Sequence, residues 1–329
     1  MRAAVAPVVH GRWEVKEVPT PEPGPNQVLV KIRASGICYT DVHQTRGELP
    51  GDFPRILGHE PVGEIVAVGP GVTTRRVGDR VGVPWLQAAC GRCEWCARGK
   101  PMFCAQQMST SGQMSGGHAE FMLAYAAATV LLPDSLSYEQ AAPIFCAGYT
   151  VWSGLRIAEP QPHERIAVVG IGGLGHLAVQ YAKAAGFTTI AVSRSPDKDR
   201  SIRQLGADEI VRDGQGLAAI GGADVILGTS NSNDAMADSI QGLRPEGRFV
   251  LMGYEAKPFP VPPADAILKC LRIIGSQQNG TEFLYEALDY AATGKVKVIV
   301  ETYRLDEIDK AYDRVAEGKV RFRAVMTTP

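Results

Sequence analysis

The sequence of 329 residues predicts an α/β protein in which a β-rich, barrel-like domain is followed by a doubly wound parallel sheet. Up to about residue 133, short β-like runs are separated by proline- and glycine-containing turns. From residue 137 onward, apolar strand-like runs alternate with helical stretches, which is the pattern of βαβ units. A glycine-rich turn directly follows one of these apolar runs. The length is sufficient for two domains with separate cores.

The expected elements of the two halves differ in length and spacing. Strands of the first half are expected at 27–34, 62–68 and 79–83, bounded by turns. In the second half, strands are expected at 165–169, 188–192, 223–227, 247–252 and 272–275, with helices at 173–185, 198–205 and 234–242. The tail from about residue 295 is expected to contain a strand, a helix over 306–317 and a closing strand.

Composition argues against several function classes. The 34 basic and 35 acidic residues nearly cancel, and no basic cluster suggests nucleic-acid binding. No apolar run approaches the roughly 20 residues that a membrane-spanning helix needs. The start of the chain also lacks the pattern of a secretion signal. We therefore expect a cytoplasmic protein with neither nucleic acid nor membrane as a partner.

Four of the seven cysteines lie within fifteen positions, as C-x2-C-x2-C-x7-C. They are Cys90, Cys93, Cys96 and Cys104. Zinc prefers thiolates in closed tetrahedra, so one short loop with this spacing can enclose a structural zinc ion. Disulfides are the alternative, but they belong to oxidising compartments that the sequence does not indicate. Cys270 has no assigned role, and a core thiol is its default interpretation.

Three other potential zinc ligands stand far apart in the sequence. Cys38 and Cys146 are isolated thiols, and His59 lies in a turn flanked by glycine. A catalytic zinc keeps three protein ligands and leaves one position open, which a Cys2His set would satisfy. Taken singly, each residue is more often a buried thiol or a structural histidine than a ligand. The residues alone therefore leave this second site open.

A dinucleotide-binding turn is predicted at the start of the parallel sheet. The G-x-G-x-x-G pattern lies after an apolar strand and before a helix; its residues are Gly170, Gly172, Gly173, Leu174 and Gly175. Glycines there permit a tight turn and let backbone N–H groups approach a pyrophosphate. The alternative is a glycine-rich turn that only packs helix on strand.

The end of the second strand of this sheet bears on which dinucleotide binds. An NAD site usually has Asp or Glu there, but this strand is followed by Ser193, Arg194 and Ser195, with Lys198 one turn later. Hydroxyls and a guanidinium suit a 2′-phosphate. The sequence thus favours NADP(H) over NAD(H), although Arg194 could equally be a solvated surface residue.

Five motifs in order give the chain a family resemblance. They lie at 36–43, 58–63, 90–104, 146–151 and 170–175. In this order they resemble the zinc-dependent medium-chain alcohol dehydrogenases over nearly the whole chain. The resemblance implies a GroES-like catalytic domain at 1–147 and 295–329, with a zinc lobe at about 88–106, and a Rossmann domain at 148–294. It also implies two zinc ions per chain and a homodimer or homotetramer.

The resemblance also implies roles for individual residues around the second zinc ion. It assigns Cys38, His59 and Cys146 to the catalytic zinc, with Glu60 as an occasional ligand and Asp41 fixing the tautomer of His59.

Further roles concern the substrate and the cofactor. Thr40 would hydrogen-bond the substrate hydroxyl and pass its proton, through the nicotinamide ribose, to His43 at the surface. Thr150 would touch the nicotinamide, Arg323 would bind the pyrophosphate, and Trp85 would form a wall of the substrate pocket. Tyr39 departs from the family, which commonly has His or Arg there to reach the pyrophosphate.

The implied function is hydride transfer between NAD(P)(H) and an alcohol and its aldehyde or ketone. A polyol dehydrogenase is one alternative, but the aromatic residues Trp85, Phe145, Tyr149 and Trp152 favour an apolar pocket. A zinc-binding structural relative without turnover is another alternative. The retained ligands and relay residues argue against it, because a structural protein has no use for an open zinc position.

Overall fold

The computed structural model describes residues 1–253 and 255–329. Within these residues the strands are β1 Arg2–Ala6, β2 Glu14–Glu17, β3 Gln27–Ile37, β4 Arg55–Ile56, β5 Glu60–Val68, β6 Arg80–Gly82, β7 Leu86–Ala88, β8 Met108–Ser109, β9 Phe121–Tyr125, β10 Val130–Leu131, β11 Arg165–Val169, β12 Thr188–Val192, β13 Glu209–Val211, β14 Ala223–Gly228, β15 Leu243–Leu251, β16 Arg272–Gly275, β17 Val300–Arg304 and β18 Arg323–Thr327.

The helices range from four to twelve residues in length. Within the same described residues they are α1 Tyr39–Thr45, α2 Glu94–Ala97, α3 Tyr138–Ala141, α4 Ala147–Ile157, α5 Gly175–Ala184, α6 Asp199–Gln204, α7 Gly214–Ala219, α8 Asn233–Ser239, α9 Pro263–Leu268, α10 Thr281–Ala292 and α11 Ile308–Ala316. None of these helices has both the length and the apolar character that crossing a membrane requires.

One compact unit comprises residues 1–146 and 298–329. Its largest sheet has the order β10-β6-β5-β3-β18-β17, and β9 also pairs with β3. β3 is central because Val28, Val30 and Ile32 alternate along it and are fully buried. β18 pairs antiparallel with β3, so that Ala324 lies opposite Ile37. The C-terminal strand therefore lies beside the end of β3, where α1 begins.

The second compact unit comprises residues 147–297. Its sheet has the order β13-β12-β11-β14-β15-β16, and every pair in it is parallel. Numbered from β11, this order is 3-2-1-4-5-6, the doubly wound arrangement of dinucleotide-binding domains. Ile190, Ile226 and Phe249 form part of its fully buried core. The strand order reverses between β11 and β14, which is where such sheets bind ligands.

The predicted fold class is confirmed, whereas several predicted boundaries shift. β3 extends past the β-like run at 27–34 and ends at Ile37, directly before Cys38, because β5 and β18 pair with it along that stretch. The helix predicted from residue 173 begins at Gly175, because the preceding glycine-rich residues form a turn. The helix predicted over 306–317 begins as a 3-10 turn, and its α-helical part is Ile308–Ala316.

Candidate metal centre and dinucleotide site

A buried carboxylate organises the first turn of α1. Cys38 is the N-cap of this helix, and Asp41 Oδ2 accepts a hydrogen bond of 2.8 Å from its backbone N–H. Asp41 Oδ1 accepts a second bond, 3.1 Å long, from the backbone N–H of Gly58. Asp41 is 0% exposed, so these donors replace the water that the charge has lost. The carboxylate thereby joins α1 to the turn that contains His59.

The three dispersed donors meet at one point. Cys38 Sγ and Cys146 Sγ are 3.9 Å apart, and His59 Nε2 is 3.3 Å from Cys146 Sγ. Around a tetrahedral zinc, two thiolates lie about 3.8 Å apart, and a thiolate and an imidazole nitrogen about 3.6 Å apart. A Glu60 carboxylate oxygen lies within 4.8 Å of the same donor atoms. These residues therefore fit a zinc ion.

Burial and neighbouring charges shift the pKa values of the three donors in different directions. Burial disfavours an imidazolium, but the carboxylate of Asp41, 3.6 Å from His59 Nδ1, outweighs it and raises the pKa of His59 well above its ordinary value. The contact between the two thiols lowers the pKa of Cys38 and raises that of Cys146. Metal binding must then displace protons from His59 and Cys146, so it weakens as the pH falls.

Glu60 and Arg323 form a buried ion pair beside the donors. Arg323 Nη2 contacts Glu60 Oε1, and the two side chains are 4% and 0% exposed. Burial raises the pKa of Glu60 to about 7 although the Arg323 charge acts in the opposite direction. The family resemblance assigns Arg323 to a cofactor pyrophosphate, whereas in this structure its guanidinium faces Glu60. The buried guanidinium of Arg323 therefore neutralises the charge of the Glu60 carboxylate, which lies next to the metal donors.

Thr40 lies next to the donors on α1. Its Oγ1 is 3.6 Å from Cys38 Sγ, and the side chain is half-buried.

Tyr39, the departure from the family, has its hydroxyl 3.5 Å from Arg46 Nη1. Arg46, two helical turns after Tyr39, therefore places a guanidinium next to the phenol hydroxyl. The sequence did not single out Arg46, because only the helical geometry brings the two together.

The expected exposure of His43 is wrong. The residue is 6% exposed, and its Nδ1 contacts the carboxylate of Glu48. The Glu48 side chain is 29% exposed, so the buried imidazole contacts a carboxylate that solvent reaches. Glu48, in the turn that follows α1, thus matters for the path that the relay would take, and sequence reasoning missed it.

Trp85, one of the four aromatic residues taken to favour an apolar pocket, lies beside a metal donor. The centroid of the Trp85 ring is 5.5 Å from that of the His59 ring. Phe145 is fully buried, and its ring fills the space beside Gly82. In the second unit, Tyr149 and Trp152 are each 5% exposed, and the Trp152 ring packs against two tyrosine rings. Trp85 can therefore form an apolar wall beside His59.

The four-cysteine lobe forms the second donor cluster. The sulfur atoms of Cys90, Cys93, Cys96 and Cys104 all lie within 4.8 Å of one another. Cys90 and Cys96 are 4.0 Å apart, too far for a disulfide and close to the spacing of two zinc ligands. Backbone N–H groups of Arg92 and Cys93 lower the pKa of Cys90 to about 6. This set is closed, with no position left for a substrate.

The glycine-rich turn lies at the carboxyl end of β11, as predicted. Gly170 has φ of 88°, and a Cβ there would lie 2.8 Å from Ser230. A Cβ on Gly175 would lie 2.1 Å from the carbonyl oxygen of Gly170. By contrast, a Cβ on Gly172 would meet nothing within 4 Å. The space beside Gly172, at the start of α5, can therefore admit a pyrophosphate. Gly173 and Leu174 complete this turn.

The end of β12 carries more positive charge than the sequence indicated. Arg194 is exposed, Ser193 is buried and Ser195 is half-buried. Lys198 Nζ is 3.4 Å from the Ile171 carbonyl, so it reaches the glycine-rich turn. Arg212 Nη1 donates to the Ser193 carbonyl over 3.1 Å. Arg212 follows the neighbouring strand β13, and sequence reasoning missed it because only the parallel pairing brings it there.

Thr150, the residue expected to touch the nicotinamide, lies on α4 and is half-buried.

Family models match both halves of the chain. The alcohol dehydrogenase GroES-like domain matches residues 24–134, and the zinc-binding dehydrogenase model matches residues 173–293. An alcohol dehydrogenase from Geobacillus stearothermophilus is 42% identical over 99% of both chains.

Solved structures give the same result. The alcohol dehydrogenase of the archaeon Aeropyrum pernix superposes with a TM-score of 0.92 at 30% identity, covering 100% of both chains. A cinnamyl alcohol dehydrogenase from Sorghum bicolor also has a TM-score of 0.92 at 30% identity, over 99% of this chain and 97% of that one.

The two cysteine clusters should respond differently to substitution. Cys93→Ser opens a closed four-thiolate set and is expected to lower the thermal midpoint and impair assembly, whereas Cys38→Ser removes turnover but leaves most of the fold intact. Metal analysis, calorimetry and activity assays on both variants check this. Fully active wild-type protein containing a single zinc per chain would contradict the two-site interpretation.

Proposed function

This chain belongs to the zinc-dependent medium-chain alcohol dehydrogenases, and we propose that it transfers a hydride between NADP(H) and an alcohol–aldehyde pair. The observation that carries the proposal is the convergence of Cys38, His59 and Cys146 beside the Thr40 hydroxyl. Three donors with one open position suit a reacting metal rather than a structural one. The seven cysteines of the chain, all within the described residues, form no disulfide bonds, which agrees with a reducing cytoplasm.

The proposed chemistry divides between the bound groups and the side chains. When bound, zinc would supply a Lewis acid toward the substrate oxygen, and the nicotinamide would give or accept the hydride. Thr40 Oγ1 would accept the proton of the alcohol and donate onward toward His43. Glu48 would receive the hydrogen bond of His43 Nδ1 and fix the imidazole tautomer. Trp85 would pack against the substrate beside His59.

Activity assays discriminate this proposal from a silent zinc protein. NAD(P)H oxidation with a panel of aldehydes should be observed, and treatment with a chelator should abolish it. A polyol dehydrogenase would instead prefer sugar alcohols in the oxidation direction. Absence of turnover with every aldehyde and ketone, in protein with both sites loaded, would leave only the structural alternative.

The relay makes a specific prediction about Thr40. Thr40→Ala should lower kcat by about 100-fold or more, since a positioned proton-transfer group contributes about 10²–10⁴-fold. Thr40→Ser is the matched control, because it keeps the hydroxyl and should retain much of the activity. Steady-state kinetics of the two variants decides; an alanine variant as active as wild type would refute the relay.

We also propose NADP(H) as the preferred cofactor. The end of β12 has no carboxylate at Ser193, and the guanidinium of Arg194 is exposed there. Arg212 adds a second guanidinium, although Asp199 binds it through two hydrogen bonds of 2.8 and 2.6 Å. Arg194 is therefore the residue available to a 2′-phosphate, with Lys198 and Ser195 nearby.

Arg194→Asp should erase or reverse the preference for NADPH. Charge-assisted hydrogen bonds contribute about 1.5–3 kcal/mol, which corresponds to about tenfold or more in affinity. The test compares kcat/KM for NADPH and NADH on one aldehyde. Arg92→Asp, an equal charge change at an exposed position of the zinc lobe, should leave the ratio unchanged. Wild-type protein that prefers NADH would overturn the proposal.

A homodimer, which could pair further into a tetramer, is the proposed assembly. Within the described residues β16 ends its sheet and pairs only with β15. α9, directly before it, exposes Ile267 by 73% and Leu268 by 83%. An open strand edge next to exposed large apolar residues is a surface that a second copy can cover.

Leu268→Glu should shift this assembly toward monomers, because it places a charge in the proposed apolar contact. Sedimentation velocity at several protein concentrations measures the change. Val77→Glu, at a residue that is 59% exposed in the other unit, is the control and should leave the assembly intact. If the Leu268 variant sediments as wild type does, the interface lies elsewhere.

A further inference from the structure

A second buried histidine faces the carboxylate that holds His59. His118 is 0% exposed, and its Nε2 lies 3.7 Å from Asp41 Oδ2. Its backbone is fixed on both sides, because its N–H donates to the Leu57 carbonyl at 2.9 Å and its carbonyl accepts from the Ala4 N–H at 2.8 Å. The imidazole is therefore held against Asp41 by the main chain.

The space for this imidazole depends on a glycine. A Cβ on Gly58 would lie 2.5 Å from His118 Nδ1, and Gly58 has φ of 97°. Gly58, which directly precedes His59, must therefore lack a side chain, because a Cβ there would occupy the space of the His118 ring. The same glycine donates its N–H to Asp41 Oδ1. One turn therefore carries the metal-binding histidine and accommodates the second histidine.

Neither ring nitrogen of His118 has a hydrogen-bond partner among the residues that the structure describes. Leaving a fully buried imidazole N–H unpaired is unfavourable. The carboxylate that faces the ring is that of Asp41, and a movement of under about 1 Å would bring Nε2 to hydrogen-bond distance from Oδ2. The charge of Arg55 also acts on Asp41, but the Arg55 guanidinium binds the Ser111 carbonyl.

We propose that His118 is a positioning residue for the metal centre: its Nε2–H holds the Asp41 carboxylate so that Oδ1 faces His59 Nδ1. The inference rests on the proposed function, in which His59 binds the reacting metal. Asp41 has one backbone donor on each oxygen, from Cys38 and from Gly58. A donor from His118 on Oδ2 leaves Oδ1 as the acceptor for His59. His118 thus acts on the metal through Asp41 and touches no reacting atom.

Cobalt-substituted protein tests this independently of turnover. His118→Phe keeps a ring that can pack near Trp13 but has no donor, whereas His118→Gln keeps a donor near the position of Nε2. For the Phe variant we expect an altered cobalt d–d spectrum and about tenfold faster metal loss to a chelator from the Cys2His site. The Gln variant should behave as wild type does. The four-thiolate site is the internal control, and its metal loss should not change.

A double-mutant cycle with Asp41→Asn distinguishes positioning from packing. If His118 acts through Asp41, then adding His118→Phe to the Asp41→Asn variant should not further change the spectrum or the metal-loss rate. Equal spectra and rates for wild type and the Phe variant would overturn the inference, as would a Gln variant as impaired as Phe. If the wild type itself binds no cobalt at Cys38, His59 and Cys146, the proposed function fails instead.

Discussion

The buried carboxylate of Asp41 is the constraint on which the metal centre depends. It has no exposure to water and is held by N–H groups from two separate segments, the start of α1 and the Gly58 turn. Hydrogen bonds to a charged group each contribute about 1.5–3 kcal/mol, so this carboxylate strongly favours one arrangement of the two segments. Because Cys38 and His59 belong to those segments, the same bonds set the distance between two of the three metal donors.

Charge compensation around the donors comes from the far end of the chain. Thiolates at Cys38 and Cys146 and a carboxylate at Glu60 would concentrate negative charge in a buried volume, which is unfavourable without counter-charges. β18 pairs with β3 and brings Arg323 into that volume, where Glu60 is its partner. Removing one member of such a buried pair typically costs about 3–5 kcal/mol. The C-terminal strand is therefore part of the metal centre as well as of the sheet.

Local patterns in the sequence were sufficient for the fold class, the glycine-rich turn and the four-cysteine cluster, whereas the set of Cys38, His59 and Cys146 was predicted only through the family resemblance. A short β-like run bounded by turns identified β3, and the glycine spacing after an apolar run identified the turn before α5. What could not be predicted depends on contacts between distant segments. His118 meets Asp41, and Arg212 meets Ser193, only through strand pairing and loop packing. The burial of His43 was mispredicted for the same reason, since a polar side chain alone does not reveal what covers it.

The two donor clusters also differ in how much of the fold they need. Cys90, Cys93, Cys96 and Cys104 come from one loop of fifteen residues, so this set can close around an ion with little help from the rest of the chain. Cys38, His59 and Cys146 come from three segments that approach only when the first unit is folded. Binding at the second set is therefore linked to the folding of that unit, since the donors are apart in the unfolded chain. Because the protein rather than the metal sets this geometry, a fourth position can remain open for a reacting oxygen.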